Sequence, residues 1–257
     1  MNNTEGIQAL VKRGSSTAKN GFRNEKDVIR KFNNWQTDED ARKWLKIMNY
    51  DLDKIEKVEA VKITGSHKAD VQVKVKIYLK NALSAENISI KLVSNPQGFN
   101  QIDKRWIDKY SELWAIPEDI ATTLKYFTGE LTPTHDNIKD NRRMYFNEMP
   151  IEIQKRIKKF FEKNKIMIIA DILKGRDRLA ADWMLIYQKP LSIWTLLPIS
   201  VVMNYYGSGN IEITPDGNLK IGKIGMQRKG GDAGRPTANM LQFKINPCDI
   251  VRNLNNG

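Results

Sequence analysis

The chain has 257 residues, 40% hydrophobic, 9% aromatic and 28% charged, a mix that excludes collagen, a long disordered tail and a membrane-spanning bundle. Its 42 Lys and Arg against 30 Asp and Glu give a formal charge of +12, which favours a polyanionic partner. Only two histidines and the single Cys248 are present, so the His-rich and Cys-rich metal templates and any intrachain disulfide are excluded.

The first twenty residues are polar and hold no apolar run, so no secretory signal is expected. The most apolar stretch, Trp194–Met203, is too short to span a bilayer and contains Pro198. A cytoplasmic protein without membrane association is the expectation.

Asn24 is a good cap for a first amphipathic helix, which places Val28, Ile29, Phe32 and Trp35 on one face. Asp38 caps a second, with Ala41, Trp44, Leu45 and Met48 inward. Near Val58 the period changes from helical to alternating: Val61 and Ile63, then Val71, Val73, Val75, Ile77 and Leu79, read as strands. Asn81–Asn87 is expected as a loop and Ile88–Val93 as the next strand. Helical spacing returns at Trp106, Ile107, Tyr110, Leu113 and Trp114, and again after Pro117 and Pro150. Lys165–Asp171 and Trp183–Tyr187 read as buried strands and Ile199–Tyr206 as a short helix stopped by Gly207. Ile211–Thr214 and Leu219–Met226 read as a hairpin turned through Pro215–Asn218, and Met240–Ile245 is expected to close the sheet. The sum is a mixed α/β (α+β) protein with a strand-rich basic C-terminal lobe; the expected division is 1–130 and 131–257, or one continuous domain.

The chemistry starts from the strand after Ala69. Asp70 has the opposite parity to Val71, Val73 and Val75, and on the next strand Ser89 and Lys91 share one face while Ile88, Ile90 and Leu92 share the other. A lysine in the middle of a largely apolar strand wants a partner. Phosphodiester hydrolysis needs such a pair, a carboxylate that holds a divalent cation and a lysine that orients water and stabilises charge on phosphorus. A surface salt bridge is the plainer reading of the same two residues.

Asp70, eighteen intervening residues and Ser89-Ile90-Lys91 resemble the PD-(D/E)xK nuclease core. Further runs extend the likeness in order along nearly the whole chain: Gly21–Asp27, Lys91–Asn95, Gly98–Lys104, Phe127–Leu131, Lys139–Met144, Tyr206–Gly209, Gln227–Asp232 and Thr237–Ile245. Together they resemble type II restriction endonucleases of the HinPI type, which cut within GCGC, with the MspI type, which cuts within CCGG, more distant. The resemblance implies a restriction-endonuclease-like core, a mixed central sheet flanked by helices. It also implies Mg2+ (one or two ions), double-stranded DNA as partner and a companion DNA methyltransferase in the same cell without a stable complex. A monomer acting on a symmetric site is expected. The middle motif position, usually Glu or Asp but Gln or Asn in these two types, is Ser89 here. A serine reaches a metal poorly and acts through water, which leaves open a second reading, a sequence-specific DNA-binding protein without cleavage.

Glu25 is expected inward on its helix, where it would join Asp70 and Ser89 as a metal ligand or else only favour the helix dipole. Phe99, with Asn100 and Gln101, follows the catalytic strand and is expected either to wedge between base steps from the minor groove or to fold back into the core. Lys220–Lys244 holds six basic residues and one acidic, beside a loop with the side chains that read base edges. Gln227, Arg228, Lys229, Asp232, Arg235, Asn239 and Gln242 are the expected DNA contacts there. Arg142 and Arg143 are expected on the DNA backbone or as a clamp. His67 and His135 read as loop residues.

Overall fold

The computed structural model describes residues 24–63, 72–133, 139–231 and 235–255. Residues 24–33 form helix α1, with Glu25, Val28 and Phe32 buried on one side, followed by α2 (Glu39–Ile47), whose first turn is held by Asp38 accepting from the Ala41 N–H at 3.0 Å. Both helices cover one face of a five-stranded sheet made of β1 (Ile55–Lys62), β2 (Gln72–Leu79), β3 (Ala82–Val93), β5 (Trp183–Gln188) and β6 (Ile193–Pro198), in the order β1-β2-β3-β5-β6. Only the β3/β5 pair is parallel. A second five-stranded sheet has the order β4-β10-β9-β8-β7, from β4 (Asn100–Arg105), β7 (Ile211–Ile213), β8 (Leu219–Ile221), β9 (Ile224–Arg228) and β10 (Leu241–Ile245). Helices α3 (Ile107–Trp114), α4 (Glu118–Thr128), α5 (Ile151–Lys163), α6 (Lys165–Ile169), α7 (Ile199–Gly207) and α8 (Pro247–Asn255) complete the described fold. No helix among the described residues is long and apolar enough to cross a membrane.

Alternation decides the first sheet. Val58, Ala60, Val73, Val75, Ile77, Ile88, Ile90, Leu185 and Leu196 form its inner face with Phe32, Trp35, Trp44 and Leu45, a continuous core. Register carries Gln72, Ser89, Lys91, Met184 and Ile186 to the other face.

Several expectations are corrected. Asn81–Asn87 is not a loop: Leu79 pairs with Ala82 across a two-residue turn, and β3 runs uninterrupted from Ala82. The backbone pairing of β2 outweighs the polar composition there. Lys165–Asp171 is helical, because its apolar run, Ile166-Met167-Ile168-Ile169, continues the helical hydrogen bonding after Asn164. Gly222, at φ +59, breaks the expected strand 219–226 into β8 and β9. β10 lies between β4 and β9 rather than at the sheet's edge.

The described residues fall into two interleaved units. Among the described residues, one unit holds those within 101–172 and 203–245, the other those within 24–100, 173–202 and 246–255. The cause is strand order: β5 and β6 return to β3 from ninety residues away, and β4 finds its partner in β10.

Candidate functional site

The first unit to consider holds the first sheet. Ser89 stands opposite Gln72 across β2 and β3, and Lys91 follows two positions on, so the three side chains share one face. All are buried, Ser89 at 1%, Lys91 at 3% and Gln72 at 5% exposure. The Ser89 Oγ and the Gln72 Nε2 have no hydrogen-bond partner in the chain. The structure therefore brings Ser89 and Lys91 together as expected. Asp70 lies outside the described residues, as do His67, His135 and Asp232.

Glu25 is buried at 4% exposure, but its Oε2 takes an ion pair from Lys62 Nζ at 2.6 Å. Lys62 is the register partner of Val73, on the α1 side of the sheet and opposite to Ser89 and Lys91. The expectation that Glu25 joins Ser89 is corrected accordingly: its carboxylate answers a lysine on the other face.

The segment after β3 is a tight turn. Gly98 N–H donates to Asn95 O at 2.8 Å, the Asn95 side chain accepts from Gln97 N–H, and Asn246 holds Pro96 O. A Cβ on Gly98 would sit 2.9 Å from Asn95 O, which explains the glycine. Phe99 emerges from this turn 64% exposed, not folded into the core. Asn100 spends its amide on Leu92 O at 2.9 Å and so ties the turn to β3.

The other unit carries the arginines. Arg228 donates through Nε and Nη2 to the single Asn239 Oδ1, at 3.1 and 2.6 Å, and Asn239 Nδ2 donates to Gly129 O at 2.7 Å. Gly129 ends α4 at φ +82 and lies so close to Arg142 O that a Cβ would clash, so only glycine fits. Arg142 forks onto Asp140 through Nε at 2.8 Å and Nη2 at 2.9 Å. This pairing holds the Asp140 carboxyl below its ordinary range despite partial burial. Arg143 lies 3.9 Å over the Tyr145 ring, buried, its Nε without a hydrogen bond but 3.9 Å from Asp140 Oδ2 in an ion pair. Burial first, then repulsion from Arg142 and Arg143, pushes the Arg228 guanidinium below its ordinary value. Asp140, ion-paired with both Arg142 and Arg143, offsets part of that repulsion.

The remaining expected contacts divide. Gln227 and Lys229 are half-buried at the end of β9, and Arg235 is exposed before the turn Pro236–Asn239. Gln101 is half-buried in β4. Gln242 is buried and its Nε2 donates to Lys229 O at 3.2 Å, so its amide serves the backbone of the β9 end. Sequence reasoning missed Gln72, Asp140 and Tyr145. Gln72 carried a signal, since it shares the parity of Asp70; Asp140 carried none, because its role comes from the loop's shape.

Residues 48–251 match the R.HinP1I restriction endonuclease family. The fold resembles the crystal structure of restriction endonuclease MspI in complex with its cognate DNA, with a TM-score of 0.62 and 16% identity over 93% of this chain and 95% of that one. No curated protein matches the sequence at a significant level.

Proposed function

The chain belongs to the R.HinP1I restriction endonuclease family and is a type II site-specific nuclease, and we propose that it hydrolyses both strands of duplex DNA at GCGC in a Mg2+-dependent reaction. Cleavage after the first G leaves 5′-phosphate and 3′-hydroxyl ends. The observation that carries the catalytic part is the face shared by Ser89 and Lys91, a buried hydroxyl beside a buried lysine on one strand.

The buried, unbonded Ser89 oxygen fits the oxygen-only, partly hydrated shell that Mg2+ prefers, and Asp70 is the carboxylate assigned to hold the ion. When bound, the ion supplies charge to the scissile phosphate and an acidified water. Lys91 orients the attacking water and stabilises negative charge on the phosphate oxygens as the water oxygen bonds to phosphorus and the 3′-oxygen departs. Glu25 pairs with Lys62 on the other face of the sheet and is not assigned to the metal.

Recognition is assigned to the second unit. Arg228, held by Asn239 through Nε and Nη2, keeps its remaining Nη1 and Nη2 N–H donors for guanine O6 and N7. Arg142, Arg143, Lys229 and Arg235 contact phosphates or further bases, with Gln227 and Asp232 beside them. Phe99, exposed on a braced turn with Asn100 and Gln101 after it, inserts between base steps and bends the duplex. The enzyme works as a cytoplasmic monomer, with a methyltransferase protecting host sites. Digesting a plasmid with and without Mg2+ tests this: discrete fragments ending at GCGC only with the metal are expected, and binding without cutting overturns it.

A further inference from the structure

Six buried side-chain atoms among the described residues have no hydrogen-bond partner in the chain, and three of them lie together: Gln72 Nε2, Ser89 Oγ and Asn87 Oδ1. Gln72 faces Ser89 across the strands, and Asn87 is the next residue along β3 on the same face, opposite Lys74. Each is fixed. Asn87 is pinned by its Nδ2 donating to Arg178 O at 3.1 Å and Ala180 O at 3.0 Å, which leaves only Oδ1 open. Gln72, the first residue of β2, and Ser89 are register partners, at 5% and 1% exposure.

A buried amide, hydroxyl or carbonyl left unbonded costs about 1–3 kcal/mol, so three in adjacent rows need a reason. An amide donor, a carbonyl acceptor and a hydroxyl that can do either, in adjacent rows of one face, match the two to four polar partners that a water molecule takes. Lys91 stands in the next row on the same face, beyond Ser89.

We propose that Gln72 is a further catalytic residue: its amide, with the Ser89 hydroxyl and the Asn87 carbonyl, holds the water that attacks the phosphodiester. The proposal rests on the nuclease reading above. Gln72 makes no bond in the reaction. Its N–H donates to one lone pair of the water oxygen, Asn87 Oδ1 and Ser89 Oγ each accept from a water O–H, and the second lone pair is left for phosphorus; as the P–O bond forms and the P–O3′ bond breaks, the attacking water loses a proton to solvent and the departing 3′-oxygen takes one from solvent.

The test is single-turnover cleavage of a GCGC duplex by the full chain, with cognate binding in Ca2+ and thermal unfolding measured alongside. Gln72→Met keeps the volume and removes the unbonded polar atoms. It should cut about 10²-fold more slowly, bind the duplex within about threefold of the wild type, and unfold at an unchanged or higher temperature, because a buried orphan donor is gone. Gln72→Glu, which preserves shape and polarity but loses the donors, should slow cleavage similarly and answers the question if the methionine variant does not fold. Ser89→Ala alone should lose less, since the amide still holds the water. Near-wild-type cutting by Gln72→Glu or Gln72→Met overturns the assignment, as does a rate loss matched by weaker binding and a lower unfolding temperature. Failure of the nuclease reading is separately visible: the wild type itself then cuts no better than Lys91→Ala.

Discussion

The catalytic face of the first sheet and the arginine cluster of the second unit treat polar groups in opposite ways. On the first, Gln72, Asn87 and Ser89 keep polar atoms buried and unbonded. In the second, the chain from Arg228 to Asn239 to Gly129 O closes its hydrogen bonds within the protein, and Arg142 is forked onto Asp140. The difference fits what the proposed function asks of each. A reacting water and a phosphate arrive to fill open valences, so unfilled ones are left waiting at some cost in stability. A base reader must arrive already aimed, because a loose guanidinium loses rotamer entropy on binding and reads less well.

The sharpest way to break this comparison is to remove the chemistry from the open face. Lys91→Ala and Asp70→Asn should each reduce cleavage by about 10³-fold or more while leaving cognate binding largely intact, since both act on the scissile phosphate. A gel-shift and a cleavage time course on the same preparations check it. Near-wild-type rates would remove the catalytic assignment.

The closed cluster predicts a different pattern. Asn239→Ala frees the Arg228 fork and should lower discrimination between GCGC and scrambled duplex by about 1–3 kcal/mol, with little change in affinity for random DNA. Arg228→Ala should show the same pattern, and the double variant little more than either, because the two act as one unit. Equal weakening on all sequences would make Arg228 a phosphate contact. Gln242→Leu provides a contrast: its amide bonds backbone, so thermal stability should fall while specificity holds.

Glu25 tests where the boundary of the site lies. Glu25→Gln should lower the unfolding temperature by the same amount as Lys62→Gln, with cleavage in both near wild type, since the two charges answer each other. A cleavage defect in the Glu25 variant alone would bring its carboxylate back to the metal. Smallest in structural detail is the salt response. A +12 chain neutralising about six to ten phosphates should lose ~10³–10⁵ in affinity between about 50 and 200 mM salt.

Much of this was legible in one dimension. Alternation in residues 71–79 and 88–93 set the faces of β2 and β3, and so which side Ser89 and Lys91 would share. Asp38 and the prolines at 117 and 150 marked helix starts, because capping is a local matter of backbone donors. The apolar run at 166–169 misled, since a short buried run suits strand and helix alike and only its neighbours choose.

The sequence by itself determined the likeness to a restriction-endonuclease family, the basic balance and the parity of β2 and β3, all of which depend on residues near one another in the chain or on sums over it. Tertiary structure alone decided that β5 pairs with β3, that Glu25 meets Lys62, that Asn239 reaches back to Gly129 and that Gln72 Nε2 and Asn87 Oδ1 stay unbonded. Those facts turn on distance and on whether a partner is present. A polar residue's letter names its donors and acceptors but not whether folding will fill them, and pairings across a hundred residues are set by the packing of whole sheets.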